Sequence, residues 1–224
     1  MFGSAIHKTL ESFYMEMMIG RKMLAKELHQ IFEQSWKDAA EGRIDIQFSE
    51  GKNFGSYLIE GKELLTTYYN KLHEDDFKIL SIEEPFSFTI DGLDVPIIGV
   101  TDLVQEDESG TILISDWKTS KRSYTDFEIS QNLQLTLYFM ALRANGYKDR
   151  DILLRFDCLI KTKIPKRFEY YSTRTELDER RAIKKILHVW DGIKKGVFIP
   201  NDNNNWRCKY CEYKKYCDEW LEGG

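Results

Sequence analysis

The chain has little of what marks out a specialised sequence. It holds only 4 prolines and 14 glycines in 224 residues, with no low-complexity run. Collagen-like, mucin-like and disordered classes are therefore excluded. No apolar run approaches the roughly 18 residues of a membrane span, and the first residues lack a signal-peptide core. Four cysteines are too few for a disulfide scaffold of this size. Together these absences predict a cytoplasmic, reducing setting and no membrane partner. Positive charge is not in excess either: the net charge is −5. Any nucleic-acid binding must come from local basic patches. What the chain does have is 42% hydrophobic and 13% aromatic residues. A domain of this length buries roughly three quarters of its unfolded surface.

Apolar residues at Ile6, Leu10, Phe13 and Met17 predict a helix over about 4–23. Two more helical stretches follow, over about 22–40 and 52–73. The period then falls to two: Leu80, Ile82, Phe86, Phe88 and Ile90 alternate with polar residues, as a half-buried strand does. Asp91-Gly92 predicts a hairpin turn into a strand through Ile98, Val100, Asp102 and Val104. A third strand runs through Ile112, Ile114, Asp116 and Lys118, and a long helix is expected over about 124–145. Strands over 152–160 and about 168–173 precede a helix opened by the capping box Thr175-Glu-Leu-Asp178 and ended by Gly196. The expected architecture is α/β: a mixed sheet of about five strands flanked by helices over 1–200, and a small cysteine-bearing appendage over 201–224.

Three acids break the alternation. Glu84, Asp102 and Asp116 fall on otherwise apolar strand faces, and Lys118 shares the face of Asp116. One unpaired buried carboxylate costs several kcal/mol, and neighbouring like charges add repulsion. Something cationic should meet them. Lys118 offsets one charge; hard oxygen ligands point to Mg²⁺ or Mn²⁺ for the rest.

These residues sit in a recognisable order. Gly99-Val-Thr-Asp102, thirteen residues, then Asp116-Trp-Lys118-Thr119 resembles the acid and acid-x-lysine motif of the PD-(D/E)XK nuclease superfamily. Gly3-Ser-Ala-Ile-His7 and Gln134-Leu-Thr-Leu-Tyr138 resemble the histidine and glutamine–tyrosine motifs of its RecB-like exonuclease branch. The resemblance implies a restriction-endonuclease-like fold and metal-dependent hydrolysis of DNA, with single-stranded ends as the expected substrate. It implies His7, Asp102, Asp116 and the Trp117 carbonyl as metal ligands. Lys118 would serve the attacking water or the phosphate, Glu84 would be a further ligand or water orienter, and Gln134 and Tyr138 would line the site. A helicase or recombination protein is a possible partner. The alternatives are a catalytically idle DNA-binding or subunit-interface module of the same fold, and a zinc-stapled interaction domain.

Cys208, Cys211 and Cys217 lie close together beside Trp206, Tyr210 and Tyr213. Thiolates so spaced suit zinc or an iron–sulfur cluster. The trio also resembles that of the iron–sulfur RecB-like nucleases, AddB-type proteins and CRISPR-associated exonucleases among them, whose fourth cysteine precedes the histidine motif. Here Cys158 is the only other cysteine, and it falls on an apolar strand face. The expectation is a core role for Cys158, an incomplete cluster with a poorly ordered cysteine tail, and a longer natural form carrying the missing cysteine ahead of Met1. Lys121 and Arg122, then Lys161, Lys163, Lys166 and Arg167, are the expected nucleic-acid contacts, with Arg207, Lys209, Lys214 and Lys215 beside the cysteines.

Overall fold

A computed structural model describes residues 1–40, 43, 46, 48–72, 77–199, 208 and 211–222. Trp206, Arg207, Lys209 and Tyr210 lie outside the described residues, as do His73 and Pro200 at the expected ends of two segments. The chain divides into two compact units, Met1–Ala182 and Ile183–Gly224.

The first unit opens with helices α1 (Phe2–Met18), α2 (Ala25–Ala40) and α3 (Phe54–Asn70). Gly61 lets α3 approach α2 closely, since a Cβ there would lie 2.0 Å from the Phe32 ring. Strands β1 (Lys78–Phe88), β2 (Ile97–Glu106) and β3 (Ile112–Ser120) form an antiparallel meander. Helices α4 (Asp126–Ser130) and α5 (Leu133–Leu142) cross to β4 (Ile152–Ile160), which pairs parallel with β3. β5 (Lys166–Ser172) returns antiparallel, completing a five-stranded sheet in the order β1-β2-β3-β4-β5. Helix α6 (Glu176–Lys194) follows, and Thr175 and Asp178 make the expected reciprocal cap.

Each face of the sheet has its own core. On one, Leu103, Trp117 and Leu159 pack with Ile6, Leu10, Leu28, Phe32, Leu64 and Tyr68 of α1–α3. On the other, Val104, Ile114, Leu154, Phe156 and Cys158 pack with Leu135, Tyr138 and Phe139 of α5. Cys158 is fully buried, as its position on the strand predicted.

The long helix expected over 124–145 is interrupted. Thr125 and Glu128 form a capping box for α4, and the Asn132 side chain caps α5 by accepting from the Leu135 amide. The buried Arg174 clamps this break. It donates to the Ile129 and Asn132 carbonyls and to Thr136 Oγ1, at 2.8–3.1 Å. The carbonyls freed by the interruption are thus satisfied, and α5 starts where Gln134 can face the sheet. A five-residue π turn, Arg143–Tyr147, closes α5.

In the second unit, Lys214–Leu221 forms a short helix, α7, where no regular pattern was expected. Cys208 and Cys217 are partly exposed and Cys211 exposed. Among the described residues, the cysteine sulfurs do not gather within ligand distance of a common centre.

Candidate active site

Three carboxylates stand side by side across β1, β2 and β3, but one is not the acid that alternation predicts. Glu84 is exposed and lines a cavity of ≈ 420 Å³ with Phe86, Thr101 and Asn145. Glu83 takes its place. A bulge interrupts the β1–β2 ladder between Ile79 and Ser81, so Ile82 pairs with Leu103 and Glu84 with Thr101, leaving Glu83 opposite Asp102. Glu83 also has φ +47°, in the left-handed region, which a residue other than glycine enters at a cost. The irregularity turns Ile79 and Ile82 toward the α1–α3 core while Leu80 and Phe86 face α5.

Asp102 and Asp116 meet where the next ladder ends. The last β2–β3 pair is Leu103 with Ser115, and these two acids are the next residues along. There the Asp102 Oδ2 carboxylate oxygen accepts the Trp117 amide hydrogen at 2.7 Å, replacing a ladder bond. From α1, His7 approaches with Nδ1 3.5 Å from Asp102 Oδ2 and Nε2 2.7 Å from the Trp117 carbonyl oxygen. Ligand atoms of His7, Glu83 and Asp102 lie within 4.8 Å of one another.

Asp116 is held from the other side. Its Oδ1 accepts from Gln134 Nε2 at 2.8 Å and from the Tyr138 hydroxyl at 3.1 Å. Gln134 Oε1 accepts from Lys118 Nζ at 2.9 Å. Lys118 Nζ also lies 2.5 Å from Asp116 Oδ2 and 5.2 Å from the centre of the Phe156 ring. Gln134 and Tyr138 therefore face one way from α5, as residues four apart do. Phe86 packs edge-on against Tyr138 at 5.9 Å, and it lies over Gly99, where a Cβ would meet the ring at 2.4 Å. That contact explains a glycine at the start of the Gly99–Asp102 motif.

The electrostatics are those of a site short of positive charge. Burial and the neighbouring Asp116 charge push the Asp102 carboxyl up to about 7, against the Trp117 amide and Lys118. Burial also raises Asp116, outweighing the Lys118 ammonium. Burial and Asp102 raise Glu83. Asp116 Oδ2 is buried, with the Lys118 ammonium 2.5 Å away. An imidazole nitrogen and the two carboxylates of Glu83 and Asp102, with Asp116 and a backbone carbonyl beside that group rather than within it, are donors that fit Mg²⁺, or Mn²⁺ given the nitrogen.

The expected basic contacts divide. Lys121, Lys163 and Lys166 are exposed. Arg122 is exposed but paired with Glu128 at 2.5 Å. Lys161 is half-buried, its ammonium 5.2 Å from the Phe2 ring centre, and burial lowers its pKa. Arg167 is not a surface residue at all. It is 8% exposed and grips both oxygens of the buried Asp157 at 2.8 and 2.7 Å. Alternation along β5 turns it inward, so it is removed from the candidate nucleic-acid contacts. The residues that sequence reasoning missed are Glu83 and Arg174. A Glu-Glu-Pro run is a weak signal for a bulge, and nothing local marks Arg174 as a clamp.

A family model described as the PD-(D/E)XK nuclease superfamily matches residues 1–218. Among solved structures, the chain is similar to a candidate exonuclease from Eubacterium rectale, with TM-score 0.51 and 14% identity over 95% of this chain and 74% of that one. It is also similar to the protein SSO0001, with TM-score 0.41 and 14% identity over 97% and 84%. No curated protein matches.

Proposed function

Since the chain belongs to the PD-(D/E)XK nuclease superfamily, we propose that it is a DNA exonuclease of the RecB-like branch, dependent on a divalent cation and acting at single-stranded ends. The observation that carries this reading is the acid row Glu83–Asp102–Asp116, which holds more buried negative charge than Lys118 offsets. His7, Glu83, Asp102, Asp116 and the Trp117 carbonyl would hold Mg²⁺ or Mn²⁺. Such a cation supplies Lewis acidity toward water and phosphate.

The protein's own groups do the rest. Gln134 and Tyr138 occupy Asp116 Oδ1 and leave Oδ2 to the Lys118 ammonium. Trp117 N–H fixes one oxygen of Asp102. Gln134 steadies the Lys118 ammonium beside Asp116, where it can stabilise negative charge on an attacked phosphate. Lys121, Lys163 and Lys166 would track the DNA backbone. A helicase or recombination partner would present the ends. An idle module of this fold is disfavoured, because it has no use for an acid row that destabilises the folded state.

Digestion of end-labelled single- and double-stranded DNA with Mg²⁺, Mn²⁺ or chelator tests the reading. Cleavage is expected only with metal and is lost in Asp116→Ala; full cleavage in excess chelator would falsify it. For the cysteine trio we expect no stoichiometric four-iron cluster in this chain. Iron and sulfide analysis after anaerobic purification measures that, and a full cluster lost in Cys158→Ser would overturn it.

A further inference from the structure

Trp117 bears on the site through three of its parts. Its amide donates to Asp102, its carbonyl meets His7 Nε2, and its indole lies edge-on to the His7 ring at 5.8 Å and 84°. Trp117 is 1% exposed, and its indole Nε1 is buried without a hydrogen-bond partner among the described residues. No polar bond fixes its orientation. Packing does, and a large part of that packing is Tyr14, whose ring stacks on the indole at 5.5 Å and 19°.

Tyr14 is in turn held by a buried polar chain on the helical face of the sheet. Its hydroxyl lies 2.7 Å from that of Tyr68, which donates to Asp157 Oδ2 at 2.9 Å. Asp157 is gripped by Arg167, which also donates to Glu169 and to the Lys71 carbonyl. Arg155 completes the cluster, donating to Glu169, Ser115 and Gln105. Two guanidinium groups face two carboxylates, so the cluster calls for no further ligand. A buried ion-pair network of this kind is near neutral in stability against apolar packing of the same volume. What it does supply is a fixed arrangement of its members. At one end it fixes Tyr14, and Tyr14 touches Trp117.

The geometry points to Tyr14, Tyr68 and Asp157 as positioning residues for the metal ligands, acting through the indole of Trp117. They hold the indole at one tilt, and with it the Trp117 carbonyl and the His7 ring. This rests on reading His7, Glu83, Asp102 and Asp116 as a cation site.

Calorimetric titration of the full, DNA-free chain with MnCl₂, well below each variant's melting midpoint, tests it. Tyr14→Leu loses both the stack and the hydroxyl. It should weaken Mn²⁺ binding about tenfold, the lower end of what losing an outer partner of a metal ligand costs. Tyr14→Phe keeps the stack and Tyr68→Phe cuts the link to Asp157; both should fall between wild type and Tyr14→Leu. Cleavage at saturating Mn²⁺ should stay near the wild-type rate. Wild-type Mn²⁺ affinity in all three variants overturns the inference alone. Should Tyr14→Leu not fold, the two isosteric phenylalanine variants decide it by the same criterion. A wild-type chain that takes up no Mn²⁺ removes the cation site itself, and the inference with it.

Discussion

Around Asp157 two carboxylates meet two guanidinium groups; around Asp116 three carboxylates meet one ammonium and one imidazole. The two clusters are next-door neighbours. Trp117, between Asp116 and Lys118, pairs with Asp157 across the parallel β3–β4 ladder. Their side chains lie on opposite faces of the sheet, one toward α1–α3 and the other toward α5. Burial is similar, with Asp116 and Asp157 each 1% exposed. The difference is compensation: two guanidinium groups serve Asp157 and Glu169, whereas the Lys118 ammonium, 2.5 Å from Asp116 Oδ2, stands beside three carboxylates. Buried charge by itself does not mark a reactive site; an uncompensated remainder does.

The sharpest break of this comparison comes from neutralising each acid in turn. Asp116→Asn should abolish cleavage while leaving the metal-free melting temperature unchanged or higher, because it removes a destabilising charge. Asp157→Asn should do the reverse at the level of folding. It strands Arg167, and breaking a buried pair costs about 3–5 kcal/mol. Thermal melts and cleavage assays on both variants check this, and a destabilised Asp116→Asn would erase the distinction.

Next in size is Lys118→Met. Removing one charge-stabilising group typically costs a factor of about 10² in turnover. Metal affinity should hold or tighten, since a cation leaves an acidic site. Unchanged turnover at saturating metal would reduce Lys118 to a counter-charge.

A smaller effect separates the adjacent glutamates. Glu83→Gln should weaken Mn²⁺ binding by at least the ~10-fold that losing an outer-shell partner costs. Glu84→Gln should leave it unchanged. Equal effects in titration calorimetry would mean that the β1 bulge does not choose between them.

The smallest is a pH dependence. Asp102, raised to about 7, binds its proton more tightly folded than unfolded. Its contribution therefore favours the folded state at low pH. That stability is lost as pH rises from about 4, the ordinary carboxylate range, through 7. Asp116 and Glu83 shift the same way. Acids held low by partners, such as Glu33 and Glu128 at about 2, matter only below that window. In chelator, the melting temperature should fall between pH 5 and pH 8. Saturating Mn²⁺ should flatten the decline. A melting temperature that climbs over this range in chelator would contradict the assignment.

Much of this was legible in the sequence. Alternation located all five strands, and the motifs named His7, Asp102, Asp116, Lys118, Gln134 and Tyr138, which the fold brings together. Counting by two failed in β1, because the backbone is irregular after Ile79 and again at Glu83, where φ is +47°: Ile82 and Glu83 leave the alternation while Glu84 stays beside Leu80 and Phe86. The break in the helix after β3 could have been read, since Thr125-x-x-Glu128 is a capping signature inside the expected span. Arg167 was misplaced by proximity to a lysine-rich turn. Arg167 and Glu169 alternate on β5 and pair with Leu159 and Asp157 of β4, with Arg155 two residues before Asp157, and that pattern carried the correct signal: complementary charges on the inner face of two paired strands.

The bulge in β1 has a consequence for how this chain tolerates errors of length. Glu83 faces Asp102 only because of the register that holds after Ser81. Slide β1 by one residue in one direction, and the side chain opposite Asp102 is Glu84, another carboxylate; slide it the other way, into the register that holds before the bulge, and it is Ile82. A slip of the first kind exchanges glutamate for glutamate, whereas one of the second kind removes the charge. The doubled acid works as a spare tooth on a ratchet that turns one way, so the charge count at that position survives only one of the two misalignments.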